Sequence, residues 1–352
     1  MTSTVTFPHR FGVFYDFRNP APWRQPWEDR YRELMDQIAW VDAELSFDEI
    51  SVSEHHFVDD GWTPSPMVLA SAIAMRTARV GIVTNIVQLP LHHPLRVAED
   101  ALTVDALSGG RFRLGVSAGY REAEFAGLGV SMRERASRMD EGLDILRLAF
   151  AGESFSYAGT HWTFPEVIVA PGPMRPGGPG IWIGGSAAPA LKRAAARGDG
   201  FLASSNDDVV GYLAARRSLG YDDVTPRTAR TARLVIDEDP ERALRLLGDH
   251  MLFQVNQYIA YGFIKKPPYT DARDLLRDGH ADIVDAAGAV ERLKAAGQAG
   301  ISEFHFYAVL PGESVASGSR RLAYISDTVI PLIRSLQDES MNTRQEESHH
   351  VE

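Results

Sequence analysis

The chain has 352 residues, 44% hydrophobic and 24% charged, with a formal charge of −11 and no cysteine. The acidic balance argues against non-specific binding to nucleic acid or to an anionic membrane, both of which need a basic surface. The missing thiols exclude disulfides, thiolate catalysis, iron–sulfur clusters and zinc–thiolate sites.

Short β-branched runs alternate with longer stretches of helical periodicity. RFGVFYDF (10–17) predicts a strand and 28–46 an amphipathic helix; EISVSEH (49–55) predicts a second strand and 66–78 a small-residue helix. VGIVTNIVQ (80–88) and a helix over 95–108 come third, then RFRLGVSAG (111–119) and a helix over 131–151. GIWIGGS (180–186) precedes a helix at 187–197, and GFLAS (200–204) one at 207–219. RTARLVID (230–237) leads to a long helix from about 240, and ISEFHFYAVL (301–310) to a helix at about 318–336. Eight such pairs are the count of a closed (β/α)8 TIM barrel, and the apolar runs fit strands buried on both faces. A doubly wound open sheet is the rival architecture.

Two segments break the rhythm, one after the fourth and one after the seventh βα unit. Residues 153–179 read as a hairpin and a proline-rich connector, and 261–299 hold a KKPPY loop between helices. Loops of this length usually act as lids or binding elements. A single domain is expected over 1–336, with 337–352 a polar, disordered tail. No apolar run approaches the ~18–20 residues that span a bilayer. The first residues lack a signal-peptide pattern, and a cytoplasmic enzyme is expected.

In a barrel of this kind the active site lies at the C-terminal ends of the strands. Glu54-His55-His56-Phe57 ends the second strand there. Alternation lets one histidine face the barrel mouth, where imidazole is the natural general acid or base near neutral pH. The same pair also suits plain strand-end hydrogen bonding. His92, His93 and His305 lack a local ligand spacing, so no metal is expected.

Gly115-Val116-Ser117-Ala118-Gly119 matches the G-x-S-x-G nucleophile elbow, but that motif needs a helix to start at once. Here the next helix is predicted only near Ser131, and a small-residue strand end that admits a flat cofactor fits better. Gly184-Gly185-Ser186 opens the helix at Ala187, an arrangement that suits either a phosphate cradle or a capped turn. P-loop and Rossmann fingerprints are absent. Asn85 and Gln88 are polar within an otherwise apolar strand and suit recognition of a ring edge or strand-end bonding. The aromatics Trp23 and Trp27 of the 18–27 loop suit a wall around a flat or apolar ligand.

Together, SEHHF (53–57), LPLHHP (89–94), LSGGRFRLGVSAGYREAEFAGLGV (107–130) and IWIGGSAAPALKRAAARGDGF (181–201) resemble the bacterial luciferase-like monooxygenases, over about residues 10–336. The resemblance implies a TIM barrel with insertions at the two rhythm breaks and a flavin across the strand ends. His55 takes the place of that family's catalytic histidine. Asn85–Ile86 takes that of a non-prolyl cis peptide under the ring, next to Thr84. Ser117, Ala118, Gly119 and Tyr120, with Gly184, Gly185 and Ser186, take those of the phosphate loops. Ala118 stands where luciferases have an arginine; Arg121 is nearby. The implied chemistry is oxygenation by reduced FMN and O2 through a flavin C4a-peroxide, on a small apolar or carbonyl-containing substrate. Reduced FMN (FMNH2) would come from a separate NAD(P)H:flavin reductase, and a homodimer is expected by analogy. Two alternatives share the scaffold: a deazaflavin (F420)-dependent oxidoreductase that transfers hydride, and a flavin-binding protein without turnover.

Overall fold

The computed structural model describes residues 6–221 and 227–349. Eight parallel strands form its centre: β1 (Arg10–Tyr15), β2 (Glu49–Val52), β3 (Gly81–Thr84), β4 (Phe112–Ser117), β5 (Gly180–Gly184), β6 (Gly200–Ala203), β7 (Thr228–Ala232) and β8 (Glu303–Tyr307). Each pairs with its neighbours in sequence, and β8 returns to β1, so the sheet is the closed barrel that the alternation predicts. Each strand is followed by a covering helix: α1 (Trp27–Glu44), α2 (Pro66–Arg76), α3 (Pro94–Leu107), α4 (Arg135–Phe150), α5 (Ala188–Arg197), α6 (Asn206–Ser218), α7 (Pro240–Ala260) and α8 (Val315–Tyr324). Proline in the first turn of α2, α3, α5 and α7 starts these helices without losing a hydrogen bond. The apolar core fills the layer between barrel and helices, with Val13, Ile50, Ile82, Leu114, Ile183 and Phe306 all buried.

The barrel floor is polar. Parallel register sets Arg10 opposite Glu303 and Gly12 opposite Glu49. Arg113 on β4 reaches across to both acids, bonding Glu303 at 2.7 and 3.0 Å and Glu49 as well, with its guanidinium 4.1 Å from the Trp182 ring centre. Above this layer Gly115 lets β3 and β4 approach. A Cβ there would sit 1.8 Å from the Thr84 carbonyl oxygen. Gly115→Ala is therefore expected to cost about 3 kcal/mol or more, read as a lower urea midpoint or as insoluble protein.

Four elements depart from the sequence expectations. The third strand does not run unbroken over 80–88: it stops at Thr84, passes a cis Asn85–Ile86 peptide, and resumes at Val87–Gln88 beside β4. The run 230–237 is divided. Thr228–Ala232 stays in the barrel, whereas Leu234–Ile236 leaves it to pair in parallel with Asp282–Val284 of the second insertion. After β4 a short helix, Glu122–Gly127, precedes the expected one. The last helix, Ile330–His349, continues through most of the expected tail, whose Glu, Gln and Arg are good helix formers with no Gly or Pro among them. The first insertion is the expected hairpin, Phe155–Ala158 against Thr163–Val167, resting on α4 through Glu141, which accepts the amides of Thr160 and His161.

Candidate functional site

His55 lies just past β2, its amide donating to the Trp62 carbonyl at 3.1 Å. Its ring is nearly buried and packs 4.1 Å from the Trp62 ring and 5.8 Å from that of Tyr120. His55 Nδ1–H donates to Glu124 Oε1 at 2.8 Å. The same oxygen accepts the His56 amide and Arg121 Nη1, both at 3.0 Å. Burial would raise the Glu124 carboxyl, but the His55 ring and the His56 amide outweigh that and hold it below the ordinary range. The result is a histidine oriented by a fully buried carboxylate, with Nε2 left for other chemistry.

Nothing in the sequence marks Glu124 as a site residue. It sits on the short helix that was not expected, and the only local signal is its i,i+3 spacing from Arg121. Arg121, the cation nearest in sequence to the Ser117–Gly119 turn, directs its Nη1 elsewhere. It bonds Glu124 and the His56 carbonyl, and lies 4.0 Å from the Tyr261 ring centre.

The aromatic wall also differs from expectation. Trp23 packs 4.2 Å from His250 on α7, and Trp27 lies against Tyr31. The rings around His55 are Trp62 and Tyr120, with Tyr258, Tyr261 and Phe263 closing over them from the end of α7. These three follow the seventh strand, at the edge of the segment read as a lid. The Tyr120 hydroxyl is buried without a partner, and burial raises its pKa.

The other expected residues fall along the strand ends. Thr84 is fully buried, and its hydroxyl both donates to the Gly115 carbonyl and accepts the Gly115 amide, at 2.9 Å each. Asn85 Nδ2 donates across the barrel to Thr231 Oγ1 at 2.8 Å. Ile86 packs on Trp182, Leu202 and Ala229 and faces Gly184, where a Cβ would come within 2.7 Å of Ile86 Cδ1. Ser117 Oγ accepts the Gly119 amide at 3.3 Å, Ala118 packs on the core, and Gly119 has φ +74°. Gly185 has φ +144°, and a Cβ there would lie 2.7 Å from Ala190 Cβ on α5. Ser186 Oγ donates to Asp208 Oδ2 at 3.1 Å, so main-chain N–H groups rather than this hydroxyl are available to an anion. The structure thus joins His55 to Tyr120 and Ile86 to Gly184, and turns the Thr84 hydroxyl back onto the main chain.

Glu54 braces this end of the barrel. It accepts His56 Nε2–H at 2.9 Å, His92 Nε2–H at 2.6 Å and the Gln88 amide. Burial would raise this carboxyl, but the three donors bring it from 4.5 down to about 2. A depressed carboxyl stabilises the fold above its unfolded value and loses that contribution as it protonates. Urea melts are therefore expected to show stability falling as the pH drops from 4.5 toward about 2, with a shallower fall in Glu54→Gln.

Comparison with known proteins agrees with the barrel fold. A family model described as luciferase-like monooxygenase matches residues 9–303. A curated relative, 4-hydroxyprotoasukamycin monooxygenase of Streptomyces nodosus subsp. asukaensis, is 34% identical over 152 residues. That match covers 43% of this chain and 40% of the relative, so the chain spans less than half of the relative's length. Among solved structures, the oxygenating constituent of 3,6-diketocamphane monooxygenase from Pseudomonas putida, a type II Baeyer-Villiger enzyme in complex with FMN, superposes with TM-score 0.76 at 18% identity, covering 92% of this chain and 98% of that one. An F420-dependent secondary alcohol dehydrogenase superposes with TM-score 0.71 at 18% identity, covering 93% and 99%. At such identities these two likenesses speak to the fold alone.

Proposed function

The chain belongs to the luciferase-like monooxygenase family, and from that premise we propose that it is a two-component monooxygenase, using FMNH2 and O2 to oxygenate a small apolar or carbonyl-containing organic molecule. The His55–Glu124 pair at the barrel mouth carries this reading, because it provides an oriented proton-transfer group among aromatic rings.

The residues present fit a flat cofactor with an anionic tail. Gly184 and Gly185 have no room for a Cβ beside Ile86 and Ala190, so bare main chain leads into the start of α5, where first-turn amides lack helical partners. In this reading Gly184, Gly185 and Ser186 hold the phosphate through main-chain N–H groups, together with the turn Ser117–Tyr120. Asn85 and Ile86 lie beneath the ring, with Thr84 supporting them. Bound there, reduced FMN would supply the electrons that activate O2 for transfer of one oxygen atom.

The chain's own part is binding, exclusion of water and proton handling. Glu124 holds Nδ1 of His55, so His55 exchanges the proton at Nε2, and the carboxylate stabilises the imidazolium that results. Trp62, Tyr120, Tyr258, Tyr261 and Phe263 keep water from the mouth. With no dinucleotide fingerprint in the sequence, a separate NAD(P)H:flavin reductase supplies the reduced cofactor. The same proposal places the enzyme in the cytoplasm as a homodimer; among the described residues no helix is long and apolar enough to cross a membrane.

The test is anaerobic titration with FMNH2 and with reduced F420, followed by 18O2. Tight binding of FMNH2 and one labelled oxygen in the product support the reading. Tight binding of reduced F420 alone, with hydride transfer and no O2 uptake, selects the deazaflavin alternative suggested by the dehydrogenase likeness. Binding without any turnover leaves a flavin-binding protein. Gly185→Ala, forced into its φ of +144°, is expected to weaken FMNH2 binding about tenfold or more.

A further inference from the structure

We propose that Glu54, His56 and His92 form a binding site for a borderline divalent transition-metal ion such as Zn2+. One ligand atom from each lies within 4.8 Å of the others. Glu54 Oε1 already meets His56 Nε2 at 2.9 Å and His92 Nε2 at 2.6 Å. Ligands of a four-coordinate zinc ion stand roughly 3.3 Å apart for bonds of about 2.0–2.1 Å. Small side-chain rotations therefore convert two hydrogen bonds into coordination.

The two protons occupy the place of the ion. Each imidazole must give up its Nε2–H, and it can do so by moving the proton to Nδ1, which no protein group among the described residues engages. Neutral imidazole and carboxylate are then the donor set, two nitrogens and one oxygen, which favours Zn2+, Co2+ or Ni2+ over the oxygen-seeking Ca2+ and Mg2+. The Gln88 amide holds Glu54 by Oε2 and so presents Oε1. The carboxylate is fully buried, but the His92 side chain is 32% exposed, which gives an ion an entry path and room for water to complete its shell.

A second cluster shows what rules such a site out. Glu49, Glu303 and His305 also bring three ligand atoms together. There the Arg113 and Arg10 guanidinium groups already lie on both carboxylates, so the positive charge is supplied and the acceptor oxygens are taken. Among the described residues no Lys or Arg pairs with Glu54, whose only ion-pair partners are the two imidazoles. Glu54 and His56 flank His55, so an ion here would tie the end of β2 to the turn that holds His92.

The experiment is titration of chelator-treated full-length protein with Co2+. The expected result is one equivalent bound, with visible d–d absorption of a site of low coordination number, displaced by Zn2+. Loss of outer-shell partners alone weakens metal sites about 10–100-fold, so His92→Gln is expected to weaken binding about 100-fold. His92→Asp, which keeps a ligand, should recover part of that loss, and His93→Gln should bind like the parent. Absence of the d–d absorption, unchanged affinity in His92→Gln, or equal loss in His92→Asp and His92→Gln would each overturn the assignment. None of these readouts depends on flavin or turnover.

Discussion

Replacing His55 with alanine is expected to lower turnover by about 10²–10⁴-fold, the usual contribution of a positioned acid–base group, while the FMNH2 dissociation constant moves by no more than about threefold. The separation is expected because the proposed cofactor contacts are main-chain N–H groups at Gly184–Ser186 and in the Ser117–Tyr120 turn, whereas the His55 side chain is held by Glu124 and Trp62 and meets that turn only at the Tyr120 ring. Glu124→Gln gives the sharper comparison. It keeps the shape and an acceptor for His55 Nδ1–H but removes the negative charge that stabilises an imidazolium. Its turnover should fall between those of the parent and His55→Ala, again with little change in cofactor binding. Stopped-flow single turnovers with preformed FMNH2 complex would read both effects. Full activity in His55→Ala would remove His55 from the chemistry.

Arg113→Met is expected to destabilise the fold by about 3–5 kcal/mol, the usual consequence of removing one partner from a buried ion pair. Arg113 is the shared cation of the barrel floor, and without it Glu49 and Glu303 face each other with the half-exposed Arg10 and the His305 ring left beside them. Burial alone would raise both carboxyls. Beside Arg113, Glu49 is held well below the usual range, whereas Glu303, next to the charged Glu49, is pushed above it. A depressed carboxyl such as Glu49 contributes stability at neutral pH that is lost on acidification. In Arg113→Met the sign reverses, since the unpaired acids fold more easily once protonated, so the gap to the parent should narrow as the pH falls. Adding Glu49→Gln and Glu303→Gln should recover much of the loss. Urea denaturation of the variants across pH, with circular dichroism as the probe, checks the order.

The elements themselves were readable from the chain, because strand and helix periods are local. Val13, Ile50, Leu114 and Ile183 sit in runs apolar enough for a strand buried on both faces, and the count of eight favours closure over an open doubly wound sheet, as the structure shows. His55 was visible for the same reason, as a titratable group at a strand end where a barrel places its site.

What the chain could not announce is which groups meet across the barrel. Glu124 lies 69 residues from His55, and its pairing depends on a six-residue helix too short to show a period. Arg121 lies close in sequence to the Ser117–Tyr120 turn, yet its Nη1 turns to Glu124 and the His56 carbonyl. The Thr84 hydroxyl clasps Gly115 on the next strand, a pairing that no local pattern shows. The run 230–237 changes partners midway, because its second half finds a free strand edge at Asp282–Val284 that exists only after the insertion has folded. Periodicity and turn chemistry are written along the chain. Hydrogen-bond partners are chosen by the register of parallel strands and by side-chain rotamers, which only the closed barrel sets.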